Sequence, residues 1–123
     1  MGTRILVIDD DHAVRRTICD NLMESGYEIL EASDGGQGLA MIQPDVLPAI
    51  VITDIIMPLK EGLETIIEIR KTYPQIKLIA ISGGGRTRST DFLALAKRLG
   101  ADAILPKPLD LDQLEKTIKS LAG

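Results

Sequence analysis

The sequence predicts a single α/β domain in which one doubly wound parallel β-sheet is covered by helices on both faces. The chain has 123 residues, about the length of one domain, and its 45% apolar residues are enough for a hydrophobic core. Short apolar runs alternate along the chain with longer segments of helical period. Alternating strands and helices form parallel sheets with right-handed crossovers, so we expect one domain over residues 1–123.

Three short apolar runs, at residues 5–8, 49–52 and 78–81, predict the central strands. They are rich in β-branched residues and do not alternate with polar ones, which is typical of strands that are buried on both faces. Residues 28–32 carry charge, and residues 103–105 form a very short run that meets Pro106. These two segments therefore predict edge strands.

Between the strands the apolar period changes towards 3.6 residues, which predicts amphipathic helices. The apolar faces of four helices are formed by Val14, Ile18 and Leu22; Leu63, Ile66 and Ile67; Phe92, Leu95, Ala96 and Leu99; and Leu111, Leu114, Ile118 and Leu121. Gly26, Pro74 and Gly100 stop the first, third and fourth of the five helices, while Asp110 and Gln113 offer a capping box for the last. Residues 34–43 form a weaker second helix because glycines interrupt it. Five strands therefore alternate with five helices.

Composition argues against several classes of function. A formal net charge of -4 makes direct binding to nucleic acid or to an anionic membrane improbable, because those partners need clustered Lys and Arg. No apolar run approaches the roughly 20 residues that span a bilayer, and the first residues do not resemble an export signal. The single Cys19 has no partner for an internal disulfide. We therefore expect a cytoplasmic protein.

Polar residues follow the predicted strands at the edge where such sheets bind ligands, namely the carboxyl ends near the point where the strand order reverses. The first strand is followed by Asp9 and Asp10, and the third ends in Asp54. The fourth ends in Ser82, and the fifth runs into Lys107. If the first and third strands are neighbours, as in the common order 2-1-3-4-5, the three aspartates converge on one pocket.

Such an acidic pocket requires positive charge. Two like charges at about 4 Å repel each other by roughly 4 kcal/mol at an effective dielectric constant near 20. Mg²⁺ suits a site with few protein ligands that a phosphate completes, and Lys107 adds a compact ammonium group. A carboxylate can attack phosphorus when such charges neutralise the transferring phosphoryl group. Asp54 is the candidate nucleophile because it stands alone, and the acyl phosphate would contact Mg²⁺, Lys107 and the Ser82 hydroxyl.

With these residues identified, the sequence resembles a response-regulator receiver domain of two-component signalling, of the chemotaxis-Y-like kind. The resemblance covers essentially the whole chain and depends on residues 5–11, 54–58, 81–83 and 107–108, which read ILVIDDD, DIIMP, ISG and KP. Each piece is weak alone, but the four together, in order and at this spacing, are specific. The resemblance implies a flavodoxin-like fold with the strand order 2-1-3-4-5.

The resemblance also implies a set of residue roles. Asp54 would accept a phosphoryl group from a sensor histidine kinase or a histidine phosphotransfer protein, and Asp9 and Asp10 would be the acidic pair at Mg²⁺. Further roles implied by the family fall on the main-chain carbonyl of Ile56 (metal ligand), Ser82 (switch hydroxyl), Lys107 (phosphate contact) and Pro108 (preceded by a cis peptide bond). The protein would be a phosphorelay switch, and its only catalysis would be its own phosphorylation and dephosphorylation. We expect a monomer or weak dimer.

Two departures from the family pattern affect these expectations. The family commonly has an aromatic residue three positions before the lysine, where this chain has Ile104. We therefore expect a weaker or differently shaped switch at the face formed by the fourth helix, fifth strand and fifth helix. Ile56 and Gly84 stand where polar side chains in this family help to admit and orient the hydrolysing water, and neither residue can form a hydrogen bond through a side chain. This predicts slow loss of the phosphoryl group.

The residues leave three other functions open. An aspartyl-phosphate phosphatase or phosphotransferase needs a second acid soon after the nucleophile, but Asp54 is followed by Ile55 and Ile56. A flavin-binding domain of the same topology is disfavoured because the acidic loop after the first strand would repel a flavin phosphate. A degenerate receiver that serves only for docking is disfavoured by the intact acidic set. Asp11 is interpreted as a helix cap and His12 as incidental.

Overall fold

Five strands and five helices alternate along the chain in a computed structural model that describes residues 3–55, 59–82 and 89–122. The strands are β1 (Arg4–Ile8), β2 (Glu28–Ala32), β3 (Ile50–Asp54), β4 (Lys77–Ser82) and β5 (Ala103–Pro106). The helices are α1 (His12–Glu24), α2 (Gly35–Met41), α3 (Leu59–Thr72), α4 (Ser89–Leu99) and α5 (Leu111–Ala122).

The strands form one parallel sheet in the order β2-β1-β3-β4-β5. This order confirms the predicted topology and puts β2 and β5 at the edges. The order reverses between β1 and β3, so a cleft is expected beyond their carboxyl ends. The second helix is shorter than the predicted segment 34–43, because Asp34 is its N-cap and Ile42 is already extended.

Successive residues of the central strands point into two separate hydrophobic cores. Ile5 packs in a core with residues of α1 and α5, such as Ile18 and Leu114. Leu6 packs on the other face in a core with residues of α3 and α4, such as Ile66. Every residue of β3 is buried, which explains why its sequence shows no alternation of polar and apolar residues.

Helix ends agree with the signals in the sequence. Asp11 caps α1 because its Oδ1 accepts a hydrogen bond from the main-chain nitrogen of Val14, 3.1 Å away. Asp110 caps α5 by accepting from the main-chain nitrogen of Gln113. Gly26 has a φ of 95°, a left-handed conformation that glycine adopts without steric cost.

In the parts of the chain that the structure describes, no helix is both long enough and apolar enough to cross a membrane.

Candidate functional site

The pairing of β1 with β3 brings the predicted acidic residues together. Ile8 pairs with Thr53, so the residues that follow them, Asp9 and Asp54, lie side by side where the two strands end. Asp9, Asp10 and Asp54 each offer a carboxylate oxygen, and these three atoms lie within 4.8 Å of one another. The acidic cluster that the sequence predicted is therefore present. We call these three residues the aspartate cluster.

The pairing of the other strands brings two more residues to the same edge. Asp54 pairs with Ile81 of β4, and Ser82 therefore lies one residue further along. Ser82 in turn pairs with Pro106 of β5, so Lys107 follows directly beyond the sheet. The main-chain nitrogen of Lys107 donates a hydrogen bond to the carbonyl of Ser82 at 2.8 Å. The four strand ends thus form one site.

The ammonium group of Lys107 bridges two members of the aspartate cluster. Its Nζ donates hydrogen bonds to Oδ2 of Asp54 at 2.9 Å and to Oδ2 of Asp9 at 3.0 Å. Asp9 has no exposed surface and Asp54 only 5%, whereas Asp10 is exposed. Buried carboxylates need a charged or hydrogen-bonding partner, and Lys107 supplies both.

Burial and charge shift the pKa values of this site in a consistent way. Burial raises the pKa of Asp9 above its ordinary value, and the nearby Asp54 carboxylate raises it further, although hydrogen bonds from the Asp11 main chain and Lys107 oppose the shift. Burial alone would lower the pKa of Lys107, but the hydrogen bonds with Asp54 and Asp9 outweigh it and raise that pKa. Lys107 therefore stays charged, while the Asp54 carboxylate still repels that of Asp9.

Ser82 carries a buried hydroxyl group with unsatisfied hydrogen-bonding capacity among the described residues. Its hydroxyl oxygen is buried and has no hydrogen-bond partner among the described residues. An unsatisfied buried hydroxyl costs about 1–3 kcal/mol, so such groups need an explanation. Its place beside the ends of β3 and β5 makes it available to a group that enters the site.

The donor set fits a small divalent cation. Opposite ligands of an octahedral Mg²⁺ lie about 4.2 Å apart, because each oxygen is about 2.1 Å from the metal. The oxygens of the aspartate cluster lie within 4.8 Å of one another, so small side-chain movements bring them to the separations of about 3.0 Å (adjacent) or 4.2 Å (opposite) that an octahedral shell needs. Carboxylate oxygens are also the ligands that Mg²⁺ prefers.

The structure brings together Asp9, Asp10, Asp54 and Lys107, and it puts Ser82 at the same edge. Ile56, whose carbonyl is the remaining predicted metal ligand, lies outside the described residues, as does Gly84. The peptide bond between Lys107 and Pro108 is cis, which confirms the expectation from the resemblance.

Arg15, which the sequence did not mark as a site residue, also contacts the site. Nη1 of Arg15 donates a hydrogen bond to the main-chain carbonyl of Asp9 at 2.7 Å. Arg15 lies on α1, one helical turn after the cap residue Asp11. That spacing was the available signal, because a residue one turn after an N-cap lies close to the strand end that precedes the helix.

Comparison with known proteins decides the family. Residues 5–119 match the model of the family described as the response regulator receiver domain. The chain belongs to this family.

Curated relatives support the assignment to the receiver-domain family. Response regulator MprA of Mycobacterium bovis is 36% identical over 121 residues, which make up 98% of this chain and 51% of that protein. Sensor kinase CckA of Brucella abortus is 36% identical over 123 residues, or 95% of this chain and 12% of that protein. The receiver domain thus spans about half the length of the curated response regulators that it matches.

A solved structure shows the same receiver fold. The crystal structure of the receiver domain of NtrX from Brucella abortus superimposes with a TM-score of 0.85 at 31% identity, and covers 95% of this chain and 96% of that one. Response regulators belong to two-component systems, in which receiver domains are signalling switches rather than typical enzymes.

Proposed function

We propose that residues 1–123 are one receiver domain that takes part in a phosphorelay by accepting a phosphoryl group on Asp54. The donor is a sensor histidine kinase or a histidine phosphotransfer protein, and the domain acts as a cytoplasmic switch that contacts neither nucleic acid nor membrane. The observation that carries the proposal is the bridge from Lys107 to Asp9 and Asp54, because it combines a buried carboxylate with a fixed positive charge.

Mg²⁺ is the cofactor of this proposal, held by the aspartate cluster and by the main-chain carbonyl of Ile56. When bound, it neutralises the negative charge on the phosphoryl oxygens. The carboxylates of Asp9 and Asp10 hold and orient the ion. Their mutual repulsion in the ion-free protein favours its binding.

The chain's own residues account for the transfer. A carboxylate oxygen of Asp54 forms a bond to phosphorus while the bond from phosphorus to the donor's histidine nitrogen breaks, and the imidazole nitrogen then takes up a proton from solvent. The ammonium group of Lys107, now held by Asp54 and Asp9, is in position to pair with a phosphoryl oxygen. Both Asp9 and Asp54 are buried, which limits water around the reacting group.

The switch begins at Ser82 in this proposal. A hydrogen bond from its unpartnered hydroxyl to a phosphoryl oxygen is worth about 1.5–3 kcal/mol, enough to shift a two-state population roughly 10- to 100-fold. The change reaches the face formed by α4, β5 and α5. Ile104 on β5 is partly buried and packs against the core, so the isoleucine replaces an aromatic gate with a smaller, already packed side chain. We therefore expect a weaker conformational change at this face. If structures of this face with and without the phosphate mimic beryllofluoride are nearly identical, Ser82 is excluded as the trigger.

Intact-mass analysis after incubation with acetyl phosphate and Mg²⁺ tests the proposal. The wild-type protein should gain one phosphoryl group, and the Asp54→Asn variant none. An Asp45→Asn variant is the matched control, because it removes an exposed carboxylate outside the cluster and should be labelled like wild type. Equal labelling of wild type and Asp54→Asn would contradict the proposal.

A further inference from the structure

The Arg15 side chain connects the aspartate cluster to the rest of the fold. Its guanidinium donates from Nη1 to the main-chain carbonyl of Asp9 at 2.7 Å and from Nε to Oε1 of Glu31 at 3.0 Å. Its Nη2 lies 2.9 Å from Nδ1 of His12. Only 12% of the side chain is exposed, which is a small fraction for an arginine outside the hydrophobic core.

These contacts hold the two peptide groups on either side of the Asp9 Cα. The main-chain nitrogen of Asp9 donates a hydrogen bond to the carbonyl of Ala32 on β2 at 3.2 Å. The carbonyl of Asp9 accepts a hydrogen bond from Arg15. Arg15 is in turn held by Glu31, which lies on the same strand as Ala32. The orientation of the Asp9 carbonyl sets the plane of the peptide that leads into Asp10. Arg15 therefore contacts the peptide through which the chain leaves β1.

Asp10 depends on this support more than the other two carboxylates. Lys107 contacts Asp9 and Asp54, and both residues are buried. Asp10 is exposed and makes no side-chain hydrogen bond among the described residues. The orientation of the Asp10 side chain towards the other two carboxylates therefore depends mainly on the conformation of its main chain.

We propose that Arg15 is a positioning residue for the divalent-cation site, acting through the peptide between Asp9 and Asp10. The inference rests on the proposed function, because it concerns the cation that the aspartate cluster would hold. It assigns to Arg15 no contact with the cation or the phosphoryl group. The planar guanidinium is suited to this work, because it reaches several acceptors at once in a fixed geometry.

The neighbouring Arg16 is a matched control. It also hydrogen-bonds to Glu31, through Oε2, and forms an ion pair with Asp20, but it has no described contact with Asp9. Arg15 and Arg16 therefore share a charge and an anchor and differ in the contact with the site. If Arg15 acted only through its ion pair with Glu31, replacing Arg15 or Arg16 would have the same effect on cation binding.

Charge and positioning predict opposite effects on cation binding. Arg15 is a positive group close to a cation site, so by electrostatics alone its removal should tighten the binding of Mg²⁺. If Arg15 holds the ligands in place, its removal should weaken binding instead. Outer residues that support metal ligands typically contribute 10- to 100-fold to affinity.

Titration of Mg²⁺ by calorimetry, and of Mn²⁺ by electron paramagnetic resonance, tests the inference on the unphosphorylated full chain. Arg15→Ala should weaken cation binding about 10-fold. Arg15→Lys should also weaken it, although it keeps the charge, because one ammonium cannot span both acceptors. Arg16→Ala should stay within about two-fold of wild type. Circular dichroism in the absence of metal checks that each variant is folded.

Glu31→Gln extends the test to the anchor. It should weaken binding less than Arg15→Ala does, and it should add nothing in the double variant, because both substitutions act through one support. This variant also keeps the inference testable if Arg15→Ala fails to fold.

The outcomes separate the two proposals. Unchanged or tighter binding by Arg15→Ala, or an equal loss in Arg16→Ala, overturns the positioning role and leaves the proposed function intact. A wild-type protein that binds neither Mg²⁺ nor Mn²⁺ overturns both. Loss of cation binding in Arg15→Ala, with Arg16→Ala close to wild type, supports the role.

Discussion

Replacing Asp10 by asparagine should stabilise the protein in the absence of divalent cations, although it removes a residue of the proposed site. Asp10 is exposed, and its carboxylate oxygen lies within 4.8 Å of those of Asp9 and Asp54. The hydrogen bonds of Lys107 go to the other two carboxylates. The charge of Asp10 therefore meets mainly repulsion until a cation binds.

The distance sets the size of the effect. Two unit charges at 4.8 Å repel each other by about 3.5 kcal/mol at an effective dielectric constant near 20, and by about 0.9 kcal/mol in water. Because Asp10 is exposed, the lower figure applies to each of its two neighbours. Asp10→Asn also loses some attraction to Lys107, so we expect a net gain of about 1 kcal/mol in the free energy of unfolding. That gain corresponds to a rise of about 4 °C in Tm.

Mg²⁺ should remove this advantage. A ligand at 100 times its Kd adds about 2.7 kcal/mol to the stability of the wild type. If Asp10→Asn binds Mg²⁺ about 10-fold more weakly, it gains only about 1.4 kcal/mol at the same concentration, so the two proteins become almost equally stable. The advantage of the variant without metal reflects stability that the ion-free wild type gives up for function.

Thermal and urea denaturation with and without Mg²⁺ measure both effects. The Asp45→Asn variant makes the same change in net charge at an exposed carboxylate outside the cluster. It should change neither the stability without metal nor the response to Mg²⁺. Repulsion at Asp10 is excluded if Asp10→Asn is less stable than wild type without metal, or if Mg²⁺ stabilises both proteins equally.

Three further predictions concern other parts of the fold. Lys107→Met leaves two buried carboxylates without the cation that now pairs with them, so the free energy of unfolding in urea should fall by about 3 kcal/mol or more. Gly62→Ala should cost about 1–3 kcal/mol, because a Cβ there would lie 2.6 Å from the Cα of Ile55 and would push α3 away from the end of β3. Burial raises the pKa of Cys19 to about 11, so iodoacetamide at pH 8 should label it only in the unfolded protein, as intact mass will show.

Matched variants check these predictions. Lys116→Met removes an exposed lysine and should cost little; a similar loss in both lysine variants would contradict the role of the bridge. Gly36→Ala adds a Cβ that meets only Oδ1 of Asp34, at an ordinary 3.5 Å, so it should be neutral or stabilising. Gly62→Ala with wild-type stability would show that α3 does not pack tightly on β3. Rapid labelling of native Cys19 would contradict its burial.

Much of the fold was predictable from local pattern. The runs that form β1, β3 and β4 are buried on both faces, and such strands have a distinctive sequence. Helix caps were predictable for the same reason, since Asp11 and Gly26 act on atoms a few residues away. The strand ends also marked Asp9 and Asp54, because parallel strands bring their carboxyl ends to one edge.

The sequence by itself therefore determined the elements, their order and the edge at which the polar residues gather. Only the tertiary structure decided which atoms meet. It joined Lys107 to Asp9 across 98 positions of the chain, set Arg15 against the Asp9 carbonyl and left the Ser82 hydroxyl unpartnered among the described residues. The physical reason is range: periodicity and capping act within a few residues, whereas a hydrogen bond between strand ends depends on the register and packing of the whole sheet.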